Sequence, residues 1–193
     1  MKNPVKALVV MTFLAATFLT NTSAIAPDNT TIKKIIIKGN ANVILIQRDW
    51  EEVVIHDTFE SGKTKISKEG ISLIINSREQ TPLTIRVYAK APFRIEAFNT
   101  VSVETSGNFD LQYLQVFLND RATARITSNT EGLYTRINHS ARLTLGGKSE
   151  DHVSVRSIGA RIKTENLVCL KTNTSYFVPA AYTKKLTAKN VAR

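Results

Sequence analysis

The chain has 193 residues, 42% of them hydrophobic, with 26 Lys and Arg against 16 Asp and Glu, 8 Gly, 5 Pro and a single Cys. This composition excludes a collagen repeat, a polar disordered chain, a disulfide scaffold and a Cys-built zinc or iron–sulfur site. A chain of this size buries roughly 70% of its unfolded surface, enough for an apolar core without covalent staples.

The first element reads as an address. Lys2 and Lys6 precede an apolar run from Ala7 to Leu19, followed by polar Thr20-Asn21-Thr22-Ser23 and then Ala24-Ile25-Ala26. That order of charge, apolar run and small residues is the pattern of a secretory signal peptide. The run contains Thr12 and Thr17 and is shorter than the roughly 18 apolar residues a membrane anchor needs. Residues 1–26 are expected to be removed by cleavage after Ala24 or Ala26, which takes Lys2 and Lys6 away and lowers the formal charge from +10 to +8. No later stretch is apolar enough to span a bilayer. The mature chain is therefore expected in the periplasm, on the outer-membrane surface or outside the cell.

Apolar residues then alternate with polar ones. Ile35-x-Ile37, Val43-x-Leu45, Val53-x-Ile55, Ile71-x-Leu73-x-Ile75, Leu83-x-Ile85-x-Val87 and Val101-x-Val103 are bounded by turn residues such as Gly39-Asn40, Glu69-Gly70 and Ser106-Gly107-Asn108. Period-2 alternation rich in Val, Ile and Thr predicts strands throughout, with no convincing helical period.

After about Leu111 the rhythm is more regular. Leu114-x-Val116-x-Leu118, Ala124-x-Ile126, Tyr134 to Ile137, Leu143-x-Leu145, Val153-x-Val155, Ile158 to Ile162 and Leu167 to Leu170 are separated by short polar breaks such as Asn119-Asp120, Asn138-His139-Ser140 and Gly146-Gly147. Strands recurring in this way suit a solenoid in which each turn stacks on the last. A β-sandwich places short strands at similar intervals, and spacing alone does not separate the two.

The form of the repeat adds to this. Arg142-Leu143-Thr144-Leu145-Gly146-Gly147 and the run Val153 to Thr164 alternate strand and small-residue corner, as does Arg136 to Leu143. They resemble the repeats of the putative auto-transporter adhesin family, the bacterial head GIN domain. Ile35 to Gln47 is similar to the opening of that domain, and Lys68 to Ile75 to its next strand pair. The resemblance runs from about Ile32 to about Thr172. It implies an all-β fold, a right-handed β-solenoid or β-helix-like stack of short strands in two sub-parts, at the envelope or outside the cell. Here the corners carry fewer glycines than the family's, so some are expected to be wider or to be carried by Asn.

The expected organisation is a signal peptide (1–26), an all-β domain (27–175) with an irregular first half (32–110) and regular repeats (111–172), and an aromatic cap with a basic tail (176–193). Tyr176, Phe177 and Tyr182 around Pro179 suit a cover for the open end of a stack. Lys184, Lys185, Lys189 and Arg193 supply half of the mature net charge.

Catalytic chemistry is sparse. Gly62-Lys63-Thr64 and Gly147-Lys148-Ser149 end like a P-loop, but the glycine required five residues earlier is replaced by Asp57 and Arg142, and no helix follows. The three His residues, His56, His139 and His152, form no ligand pair at metal spacing and read as polar loop or strand-end residues. No nucleophile elbow occurs. The acids of the regular half, Asp120, Glu131, Glu150, Asp151 and Glu165, fall mainly at turns and suggest no glycosidase pair. Cys169, in Leu167-Val168-Cys169-Leu170, reads as a small buried hydrophobe. No cofactor or metal is expected.

Outward-facing cations are more suggestive. With Leu143, Leu145, Val153, Val155 and Ile162 inward, alternation points Arg142, Thr144, Ser154, Arg156, Arg161 and Lys163 outward, and Arg125 and Arg136 follow the same rule. Stacking would align Arg125, Arg136, Arg142, Arg156, Arg161 and Lys163 with hydroxyls between them, a surface suited to carboxylates, sulfates or phosphates. The competing reading is a solvated face. Aromatic residues are not interleaved with the cations, which with the exported address argues against nucleic acid. The sequence thus points to a non-enzymatic, adhesin-like surface module that binds or presents a surface or another surface protein. The alternatives are a periplasmic scaffold for anionic envelope polysaccharide and, less favoured, a solenoid carbohydrate enzyme.

Overall fold

The computed structural model describes residues 9–11 (backbone only), 30–57, 59 and 62–178. The expected signal peptide, apart from Val9–Met11, and residues 179–193 of the expected tail lie outside them.

All regular structure among the described residues is β. The first half supplies short strands, β1 (Val9–Met11), β2 (Lys34–Gly39), β3 (Ala41–Gln47), β4 (Glu52–Ile55), β5 (Thr64–Glu69), β6 (Ser72–Ser77), β7 (Leu83–Ala89), β8 (Arg94–Ala97) and β9 (Ser102–Ser106). The second half supplies long ones, β10 (Phe109–Leu118), β11 (Thr123–Ile137), β12 (Arg142–Ser157) and β13 (Arg161–Phe177). Together they form one curled, open sheet. β8 pairs with β10 and β9 with β11, both parallel, so the two halves of the sequence share that sheet.

Pairing among the long strands follows a fixed offset. Phe109 faces Ser128 and Ser128 faces Gly147, while Thr123 faces Arg142 and Arg142 faces Arg161, each partner 19 residues further on. Between β12 and β13 the register breaks after Thr144 and continues with an offset of 20 residues. Among the described residues antiparallel pairs occur only between early strands, β1 with β4, β4 with β7 and β5 with β6.

One column of corners is carried largely by polar residues. Gly39 takes φ +92°, but Asn99, Asp120 and His139 hold the left-handed conformation at φ 61°, 60° and 55°, as Asn, Asp and His do more readily than other non-glycine residues. Each side chain caps the neighbouring corner. Asn99 Oδ1 accepts from the Gly39 N–H (3.2 Å), Asp120 Oδ2 from the Asn99 N–H (3.0 Å) and His139 Nδ1 from the Asp120 N–H (3.3 Å). Hydrogen bonds that a glycine corner cannot make thus offset the backbone cost.

The core lies inside the curl. Leu73, Ile35, Ile95 and Val116 form one inward row across β6, β2, β8 and β10, all buried, and Phe109 is the largest fully buried side chain. Each such residue contributes on the order of 1.5–3 kcal/mol by leaving water.

Inward phase in the long strands departs from simple alternation. Leu143 and Leu145 are buried, but Val153 is 41% exposed while His152 and Ser154 are 2% and 3% exposed. Two consecutive exposed residues, Glu150 and Asp151, carry the strand round a bend and restart the alternation one residue out of phase. Val153 and Val155 therefore do not point inward as the sequence suggested. Arg156 takes the inward phase with His152 and Ser154. Cys169 is half-buried, because it lies on β13, whose outer edge has no strand partner among the described residues.

Candidate functional site

The first segments of β9, β11, β12 and β13 lie side by side, and their outward side chains form two adjacent rows. One row is Ser102, Thr123, Arg142 and Arg161, and the other is Glu104, Arg125, Thr144 and Lys163. The rows line a groove of about 580 Å³ over the buried Val103, Ala124 and Leu143. The short polar side chains leave room there, and the long cationic ones rise along its sides.

Arg142 is the centre of this cluster. Arg161 is its direct neighbour on β13, and Arg125 and Lys163 are its diagonal neighbours across Thr144, a relation that places side chains within reach of one another. All four cations are exposed. Among the described residues none has a carboxylate within 4.0 Å, and Glu104 is the single acid lining the groove. Like charges on adjacent strands repel, by on the order of 1 kcal/mol per close pair in water. A bound anion would turn that repulsion into attraction, with bidentate geometry available from each guanidinium.

Four of the six cations singled out from sequence thus come together, and two do not. Arg136 lies on the last segment of β11 with its guanidinium 5.3 Å from the Phe177 ring. Arg156 lies on the last segment of β12, stacked 4.8 Å over the Tyr176 ring and hydrogen-bonded to Tyr176 Oη. Tyr176 and Phe177, expected within an aromatic cap, are engaged with these two arginines.

The structure also gathers residues that the sequence left apart. Asp110, Glu131 and Glu150 line one hollow of about 650 Å³ together with Lys148 and the exposed Val168 and Leu170. Asp110 Oδ1 accepts from Asn129 Nδ2 (2.8 Å) and Glu131 Oε2 from Gln112 Nε2 (3.2 Å). Among the described residues no group of His, Cys, Asp or Glu is arranged to hold a metal ion. The 19-residue offset that sets Glu150 one strand over from Glu131, and Asn129 beside Asp110, is invisible to local alternation.

Parallel long strands paired at a nearly constant offset, with polar corners and a cationic groove, make an all-β fold in one curled, open sheet. Residues 31–176 match the family described as "Putative auto-transporter adhesin, head GIN domain", and the chain belongs to that family. Solved structures agree on the fold. A putative adhesin from Bacteroides fragilis is similar with a TM-score of 0.70 at 12% identity, over 90% of this chain and 78% of that one. A putative adhesin from Parabacteroides distasonis gives 0.57 at 13% identity, over 76% and 74%. A protein from the same organism, described as a putative lipid binding protein, gives 0.56 at 13% identity, over 76% and 75%. No curated protein matches the sequence.

Proposed function

We propose that this chain is an exported, non-enzymatic, adhesin-like module that binds anionic surface or envelope polysaccharide in the groove centred on Arg142. The observation that carries this reading is the convergence of Arg125, Arg142, Arg161 and Lys163 in one groove with no carboxylate among the described residues within ion-pairing distance. Hydroxyls of Ser102, Thr123 and Thr144 stand between them as further hydrogen-bonding groups for a sugar. An open groove suits a polymer passing across it, and the repeat supports it as one side of a right-handed β-solenoid. The signal-peptide pattern of residues 1–26 and the family's adhesin description support export.

Retention on immobilised polygalacturonate, compared with neutral dextran, tests the binding. The expected result is retention on the acidic matrix alone, lost at high salt. Equal behaviour on both matrices contradicts it. Protease treatment of intact cells locates the module: loss of the mature band with a periplasmic control intact places it outside, and protection until the outer membrane is opened makes it a periplasmic scaffold.

A further inference from the structure

The inside of the stack changes chemistry along its length. Leu114, Leu133, His152 and Thr172 are successive partners in one inward row across β10 to β13, and Val116, Thr135, Ser154 and Thr174 form the next. Both rows are apolar at β10 and polar by β12. A third row runs Leu118, Ile137, Arg156 and Tyr176. Such a gradient costs stability if it serves packing alone, because a buried polar group must be hydrogen-bonded.

The polar ends of these rows line a cavity of about 260 Å³ between the inward faces of β12 and β13. His152, 2% exposed, forms part of its wall. His152 Nε2 lies 3.0 Å from Thr135 Oγ1, while Nδ1 is buried without a partner among the described residues. Arg156 Nε, on the same wall, is also buried without a partner, although the far end of that guanidinium meets Tyr176 Oη. The large majority of buried side-chain polar atoms in folded proteins are satisfied, so two such nitrogens on one small cavity, unpartnered among the described residues, mark a place for a hydrogen-bonding guest.

The wall dictates what the guest is. Among the described residues it carries a guanidinium and the hydroxyls of Ser154, Thr164, Thr172 and Thr174, beside apolar Ile162 and Leu167, and no carboxylate. In the tautomer in which Thr135 donates its hydroxyl proton to Nε2, the proton of the neutral ring is on Nδ1, which donates as well. A set of donors with one fixed positive charge fits an anion rich in acceptors. The volume is below the roughly 300–1,000 Å³ of drug-sized sites, so the cavity takes a single small group and not a polymer.

We propose that this cavity is a second binding site, for the oxyanion of a small ligand or chain end, a carboxylate or a sulfate held by Arg156, Ser154, Thr172, Thr174 and His152 Nδ1. The assignment does not rest on the groove, which lies on the outward side of the strands. The test is imidazole NMR of the full chain, whose three His residues provide internal controls. The protein is titrated separately with sodium glucuronate, sodium sulfate, glucose, and sodium chloride at matched ionic strength. His152 resonances are expected to shift saturably with glucuronate or sulfate while His56 and His139 do not follow, and the anion that saturates first identifies the guest. Arg156→Gln is expected to weaken that midpoint about ten-fold, and Arg142→Gln with Arg161→Gln to leave it unchanged. His152 shifts no larger than those in sodium chloride, or a midpoint insensitive to Arg156→Gln, overturn the proposal. Thr174→Val provides a second variant should Arg156→Gln fail to fold.

Discussion

Arg142 and Arg161 are direct register partners on the parallel strands β12 and β13, so two guanidinium groups leave the same side of the groove one strand apart. Nothing in the fold requires two cations there, because outward positions accept any polar residue. The double substitution Arg142→Gln with Arg161→Gln is expected to lower affinity for polygalacturonate about a hundred-fold, from roughly 1.5 kcal/mol per charged hydrogen-bonding group. The same change should leave the urea midpoint equal or slightly higher, since it removes repulsion. Titration calorimetry and denaturation on one preparation check both.

Of the three glycines in the long strands, Gly147 has the least room for a Cβ. At φ +94°, a Cβ placed there would lie 2.2 Å from the Ser128 carbonyl oxygen. Gly147→Ala is expected to cost about 3 kcal/mol or more, read as a lowered urea midpoint. Gly132→Ala is the control. Its Cβ would meet only the Tyr113 ring, which is 57% exposed and able to swing away, so its cost should stay within about 1 kcal/mol.

The corner ladder predicts a different ranking at Asp120. The side chain accepts the Asn99 N–H while its own backbone sits at φ 60°. Asp120→Asn keeps an acceptor and a residue tolerant of that conformation, and should be nearly neutral. Asp120→Ala loses both and should cost about 1–3 kcal/mol. Thermal midpoints of the two variants decide the matter.

Burial holds the His152 imidazole below its usual pKa. The unfolded chain therefore takes up a proton near pH 6.5 that the folded one refuses. Stability is unaffected well above that pH and falls as pH drops through it, by up to about 1.4 kcal/mol per unit. Urea midpoints followed from about pH 8 to about pH 5 should decline, and His152→Gln should flatten the slope. An identical slope in the variant would mean that other groups set the acid limit.

Strand content and most corners were legible in the sequence because each is written locally. Ile35-x-Ile37 and Leu143-x-Leu145 alternate as buried strands do, and Asn119-Asp120 and Asn138-His139 mark turns. What local patterns do not carry is the phase after a bend and the offset between turns. Glu150 and Asp151 restart the alternation, which hid the inward places of His152 and Arg156 and gave Val153 the wrong face. The 19-residue offset seats Arg161 beside Arg142 and brings Glu150 beside Glu131 in the hollow that Asp110 also lines. Counting that period across the Arg142 and Arg161 corners is the signal that would have separated the groove cations from Arg136 and Arg156.

The most direct test of the groove is to watch its own arginines. In a titration with an oligogalacturonate, the side-chain Nε–H resonances of Arg125, Arg142 and Arg161 should move together and saturate at one midpoint. Those of Arg136, beside Phe177, and Arg94, paired with Glu96 at 2.7 Å, should stay in place. Uniform movement of all five, or movement of none, would contradict a binding site at Arg142.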